Sequence, residues 1–257
     1  MKNRVLVEIC VDSTASALAA ERGGAHRVEL CSGLAEGGTT PSAGLIENVR
    51  GNIDIALHVI IRPRAGDFLY TADEFESMKR DVLTAKHLGA EGIVFGILKE
   101  DGRVDTARTR TLVELARPMS ATFHRAFDMS SDLNQALEDV IRAGAHRVLT
   151  AGGLQNAEDS IATISKLMTT ANGRIAIMVG GGIRETNARR IIAETGATEI
   201  HANVSHSAPS PMLYRNDKIS LGAIKGREYD LVIVSEDKVR RLLEASSETP
   251  VAPGAGF

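Results

Sequence analysis

Cys10 and Cys31 are the two thiols of this chain, and each closes a short strand-like run, Val-Glu-Ile-Cys at 7 to 10 and Arg-Val-Glu-Leu-Cys at 27 to 31. If those runs are neighbouring parallel strands, their axes lie about 4.8 Å apart. Two thiolates with metal–sulfur bonds of about 2.3 Å can then flank one ion in a nearly linear bridge, and soft thiolates suit Cu(I). The same cysteines can instead be small buried apolar residues. A second set of residues carries acid–base and anion chemistry. Glu8, Glu29, His124 and Asp128 are candidates for proton transfer, and Arg62, Arg64 and Arg125 for a guanidinium clamp on a carboxylate or phosphate. A third set offers backbone donors: Gly181 and Gly182 within a glycine triplet, together with Asn203 and Ser205, occupy places where a barrel can cradle a phosphate. Tight turns also use such glycines.

A repeated unit must position these groups. Gly-Ala-His-Arg-Val at 24 to 28 returns as Gly-Ala-Glu-Gly-Ile at 89, Gly-Ala-His-Arg-Val at 144 and Gly-Ala-Thr-Glu-Ile at 196, at intervals of 65, 55 and 52 residues. Each copy follows helical spacing of apolar residues and opens a β-branched run, so it predicts a helix stop and the strand it feeds. The intervals are about twice the ~30 residues of one βαβ step, which implies eight strands. They are expected at 5–10, 27–31, 53–61, 92–96, 120–124, 146–150, 175–179 and 199–202. Helices are expected between them, including 158–169 before the seventh strand and a last one at 235–245. The expected fold is α/β, a single (β/α)8 TIM-type barrel over residues 1–245, with 246–257 a disordered Ser/Pro/Gly tail. The aperiodic stretch 205–234 should cross or flank the barrel mouth.

Aligning the repeats puts Val28, Ile93, Val148 and Ile200 on the outer face of the sheet. Period-2 alternation then turns Glu29, Val94, Leu149 and His201 inward, with Cys31 two residues further at the C-terminal mouth. The same parity points Glu8, Cys10, His58, Arg62, Thr122 and His124 inward. Buried carboxylates need cations or donors, and Arg62, Arg64 and Arg125 are the expected partners of Glu8 and Glu29. Such a network can be purely structural. Its location favours function, because barrel sites sit at the C-terminal ends of strands.

The bulk composition narrows the partners. The chain has 257 residues with 30 basic and 33 acidic ones, a net charge of −3, and no basic stripe of the kind nucleic-acid binders carry. No apolar run approaches the roughly 18 residues of a membrane span. A metal ion or a small anionic molecule is the expected partner, in the cytoplasm, where two cysteines are free thiols or ligands rather than a disulfide.

With the two Cys runs, Glu-Gly-Gly-Thr-Thr-Pro-Ser at 36 to 42, Ile-Ile-Arg-Pro-Arg-Ala-Gly-Asp-Phe at 60 to 68, Thr-Phe-His-Arg-Ala-Phe-Asp at 122 to 128, Arg-Val-Leu-Thr at 147 to 150 and Ser-Pro-Met-Leu-Tyr-Arg-Asn at 210 to 216, the chain resembles the CutC family of copper homeostasis proteins over roughly 4–245. The resemblance implies a cytoplasmic (β/α)8-like barrel, a homo-oligomer such as a dimer, and copper handling through cysteine. Two positions depart from the family's pattern: Ala65 stands where members often have glycine, and Val11 where a further cysteine can follow Cys10. Two functions are therefore carried forward, a Cu(I)-binding homeostasis protein and a barrel enzyme acting on a small anionic or phosphorylated metabolite.

Overall fold

The computed structural model describes residues 5–216, 218–221 and 226–247. Strands β1 (Leu6–Val11), β2 (Arg27–Leu30), β3 (Ala56–Ile60), β4 (Gly92–Phe95), β5 (Ser120–Phe123), β6 (Arg147–Thr150), β7 (Ala176–Val179) and β8 (Glu199–Ala202) run parallel in chain order. The barrel closes where β8 pairs with β1. Helices α1 (Thr14–Arg22), α2 (Ala43–Arg50), α3 (Ala72–His87), α4 (Thr106–Ala116), α5 (Leu133–Ala143), α6 (Ile161–Ala171) and α7 (Ala188–Thr195) alternate with the strands, and α8 (Glu236–Ser247) follows. This is the expected (β/α)8 TIM-type barrel.

Local chemistry sets the helix ends. Side chains of Ser13, Ser42, Asp105 and Asp132 accept from first-turn N–H groups of α1, α2, α4 and α5, and Thr71 with Glu74 forms a capping box on α3. All four repeat glycines adopt the left-handed conformation, with φ of 92° at Gly24, 82° at Gly89, 88° at Gly144 and 74° at Gly196, a region closed to most side chains. The third repeat residue then reaches the preceding strand. His26 Nδ1 accepts from Val7 N–H at 3.0 Å, Glu91 Oε2 from Leu57 N–H at 2.8 Å and His146 Nδ1 from Ala121 N–H at 3.0 Å. The motif thus stops a helix, turns the chain and docks onto the strand before it.

Some boundaries move. β3 begins at Ala56 instead of residue 53, because side chains satisfy the backbone there: Arg50 donates to the carbonyls of Ile53 and Ile55, and Glu21 accepts from Asp54 and Ile55 N–H. Glu158 and Asp159 lie in a 3₁₀ turn ahead of α6. The stretch after β8 contains an antiparallel hairpin, β9 (Ser205–Pro209) with β10 (Asp230–Val234). It flanks the barrel rim, fastened where Val234 N–H donates to Ser16 Oγ of α1 and Lys238 to the Ser205 carbonyl. α8 runs to Ser247, two residues into the expected tail, since Ser246 is buried and bonds the Leu242 carbonyl; residues 248–257 lie outside the described residues. No helix among the described residues is long and apolar enough to cross a membrane.

The core splits by parity. Val7, Ile9, Val28, Leu30, Ile93 and Val148 belong to the large apolar layer between sheet and helices, while Cys10, Cys31 and Ile60 form a separate cluster inside the barrel.

Candidate metal centre at the barrel mouth

The fourth residue of each repeat supplies the lower layer of the barrel interior. Arg27 donates to Glu199 Oε2 at 2.8 Å and Arg147 Nη2 to Glu199 Oε1 at 3.0 Å. In the second repeat that position is Gly92, and the His58 ring fills the space, 2.4 Å from where a Cβ would stand. Glu8 sits in this layer, fully buried, and takes Arg27 Nε and His201 Nδ1, the latter at 2.7 Å, with His58 Nδ1 at 3.8 Å. Burial alone would raise the Glu8 carboxyl, but Arg27 first and His201 next hold it well below the usual carboxylate range. Burial also keeps His58 neutral, its value pushed down to about 3.

Above this layer the two cysteines meet. Cys10 Sγ and Cys31 Sγ are 3.7 Å apart, both are free thiols, and Cys31 Sγ lies 3.6 Å from Glu29 Oε2. One donor atom from each of Cys10, Glu29 and Cys31 falls within 4.8 Å of the others. The Cys31 hydrogen bond outweighs burial and, with His201, brings the Cys10 thiol down to about 6; the same bond and burial push Cys31 well above its usual value. The shared hydrogen bond thus favours ionisation of Cys10 over Cys31. Burial, against the pull of His201, pushes Glu29 up to about 8.

The spacing tests the expected bridge. Two metal–sulfur bonds of about 2.3 Å laid end to end span about 4.6 Å, more than the 3.7 Å between these sulfurs. A linear bridge does not fit them as placed, whereas a bent sulfur–metal–sulfur arrangement does.

A glycine-rich loop roofs the thiols. Gly38, with φ of 88°, passes so close that a Cβ there would stand 3.3 Å from Cys31 Sγ. Arg62 holds this roof: its Nη1 donates to the carbonyls of Glu36 and Gly38 and its Nη2 to that of Gly66, each at 2.8 Å.

The expected arginine clamp is not assembled in the barrel. Arg62 is spent on these carbonyls, Arg64 faces outward to Asp67 and Glu74, and Arg125 pairs with Asp128 and the Leu154 carbonyl. None of them neutralises Glu8 or Glu29; Arg27 and His201 take those places. Arg27 was legible by register, since it stands directly opposite Glu8 across β1 and β2. Asp128 organises the turn after β6, accepting from Thr150 Oγ1 and from Ala151 and Gly153 N–H. His124 is buried and neutral, pushed down to about 3 by burial and by Arg62; its Nδ1 accepts from Ala126 N–H and its Nε2 has no partner among the described residues. Gly181 lies beside the Arg125 guanidinium, and Gly182 against Asn156. Asn203 Oδ1 accepts from both Ser205 N–H and Ser205 Oγ.

The model of the CutC family matches residues 5–206. This chain belongs to the CutC family. Relatives agree along nearly the whole length. A CutC family protein of Chromobacterium violaceum is 48% identical over 240 residues, covering 93% of this chain and 97% of the relative. The copper homeostasis protein cutC homolog of Homo sapiens is 47% identical over 241 residues, covering 93% and 88%. The crystal structure of CutC from Streptococcus agalactiae superposes with a TM-score of 0.73 at 34% identity, covering 77% of this chain and 97% of that one. A thiamine phosphate pyrophosphorylase from Pyrococcus furiosus, with TM-score 0.59 at 17% identity over 96% of this chain and 97% of its own, shares the barrel fold. Copper homeostasis is thus the general role attached to the family by name.

Proposed function

We propose that this chain binds Cu(I) as cargo at the C-terminal mouth of its barrel, through Cys10 and Cys31. The observation that carries the reading is the sulfur pair itself: two free thiols 3.7 Å apart, buried under a loop held down by Arg62, with the charge drawn to Cys10. Thiolates select a soft monovalent ion, and burial shields it from water and from exchange. A cytoplasmic home, which keeps both thiols reduced, belongs to this reading. So does a homo-oligomer, with a dimer its simplest form, for which the exposed Leu213, Tyr214 and Leu221 between β9 and β10 offer apolar surface. Equilibrium dialysis against a buffered Cu(I) source should give about one ion per chain for the native protein and none for Cys10→Ser/Cys31→Ser that retains native circular dichroism. Equal uptake by both proteins would end the reading.

A second reading, binding of a small anion, is favoured by one observation. Arg62 Nε and His124 Nε2 are buried without partners among the described residues, and both groups neighbour Phe68, whose ring lies 5.3 Å from the Arg62 guanidinium carbon and 4.9 Å from the His124 ring. Calorimetry with small carboxylates and phosphate esters tests it. No heat at millimolar ligand would remove it, as would heat unchanged by His124→Ala.

A further inference from the structure

Arg62 and His124 flank the end of β4 from the two strands beside it. Ile61 N–H, one residue before Arg62, donates to the Val94 carbonyl at 2.7 Å, and His124 N–H donates to the Phe95 carbonyl at 2.8 Å. Gly96 then follows β4 without a side chain, and the His124 ring takes that room, since a Cβ there would stand 2.6 Å from its Cε1 and Nδ1. The Phe68 ring packs near both groups. The geometry also fixes the hydrogen-bond roles. Ala126 N–H donates to His124 Nδ1 at 3.1 Å, so Nδ1 is bare, the ring is neutral and its one proton is on Nε2. The unpartnered Nε2 is thus a donor, as is the unpartnered Nε of Arg62. Arg62 otherwise bonds only the neutral carbonyls of Glu36, Gly38 and Gly66, and no carboxylate among the described residues pairs with it. It is therefore a cation, 5% exposed, without an anion, which is a costly state. The Tyr70 hydroxyl feels the Arg62 charge but lies outside hydrogen-bonding geometry with it, and is likewise buried without a partner among the described residues.

We propose that Arg62 Nε and His124 Nε2 form a carboxylate site, which takes a small monocarboxylate with a short apolar group rather than a phosphate monoester. The inference rests on the anion reading and narrows it. Three observations carry it. Two donors and no acceptor call for a ligand that presents bare oxygens. One buried cation without an anion calls for a single negative charge, whereas a phosphate monoester brings nearly two. And the Phe68 ring offers the rest of the ligand an apolar wall beside both donors. Binding makes and breaks no covalent bond.

The test titrates the full-length native protein with acetate and propionate, and in parallel with methyl phosphate, at about pH 8, where a phosphate monoester is doubly charged. Nitrogen NMR of the labelled protein should show His124 protonated at Nε2 and bare at Nδ1, with the Nε2–H signal moving as either carboxylate is added and staying in place with methyl phosphate. His124→Leu should weaken carboxylate binding by about tenfold or more, the loss of one hydrogen bond to a charged group, while His124→Gln, which keeps an N–H donor, should restore most of it. The native spectra decide the matter even if a variant fails to fold. Methyl phosphate binding in place of the carboxylates, or a proton found on Nδ1, overturns the carboxylate site and leaves the anion reading standing. No change with any of the three ligands at millimolar concentration overturns both.

Discussion

Arg27 and Glu8 meet inside the barrel with their side chains at most 4% exposed. Removing one partner of such a pair leaves a charge that water cannot reach. Arg27→Met is therefore expected to destabilise the fold by about 3–5 kcal/mol in urea unfolding; a loss under about 1 kcal/mol, the range of an exposed pair, would mean that His201 alone satisfies Glu8. His124 gives a prediction in pH. Its folded value, about 3, lies below the ordinary histidine value of 6.5, so the unfolded chain binds the proton more readily. The stability due to a neutral His124 is complete above pH 6.5 and is lost as pH falls toward 3. His124→Gln, which cannot take up that proton, should flatten the fall in urea midpoint between those values, and an unchanged slope would show that other groups cause it.

At the scale of elements, interior space is set by residues without side chains. A Cβ at Gly96, at the end of β4, would stand 2.6 Å from both the His124 ring and Ala126 Cβ. Gly96→Ala is expected to cost about 1–3 kcal/mol through overpacking, read as a lowered thermal midpoint with altered near-ultraviolet dichroism from the neighbouring Phe68; a native midpoint would show that β5 can yield. The eight strands and their inward residues were legible because the Gly-Ala repeat marks every second helix stop, its spacing leaves room for one more strand in each interval, and alternation does the rest, so Cys10 and Cys31 could be placed together from their positions alone. Other features were hidden where side chains replace backbone partners. Ile53 to Ile55 has strand composition, yet Arg50 and Glu21 hold it as a loop. Arg62 has the type and location of an anion ligand, but its bonds to three loop carbonyls depend on how a glycine-rich segment folds back, which periodicity does not encode.

At the scale of the molecule, the barrel is a stack of two chemistries. An ionised layer of Arg27, Arg147, Glu199 and Glu8 lies toward the N-terminal side, with His201 on Glu8, and the thiol pair lies above it. The exposed Leu213 and Leu221 lie apart from this stack, between β9 and β10. If that segment joins subunits, Leu213→Glu/Leu221→Glu should lower the sedimentation coefficient while leaving copper uptake intact; an unchanged coefficient would assign the assembly to another surface. The central claim is that the thiols, not the surrounding carboxylates and histidines alone, hold the ion. Anomalous diffraction at the copper edge from Cu(I)-loaded crystals tests it most directly: the account predicts one strong peak within bonding distance, about 2.3 Å by analogy with zinc thiolates, of both Cys10 Sγ and Cys31 Sγ, whereas copper density elsewhere with both sulfurs unbound would contradict it.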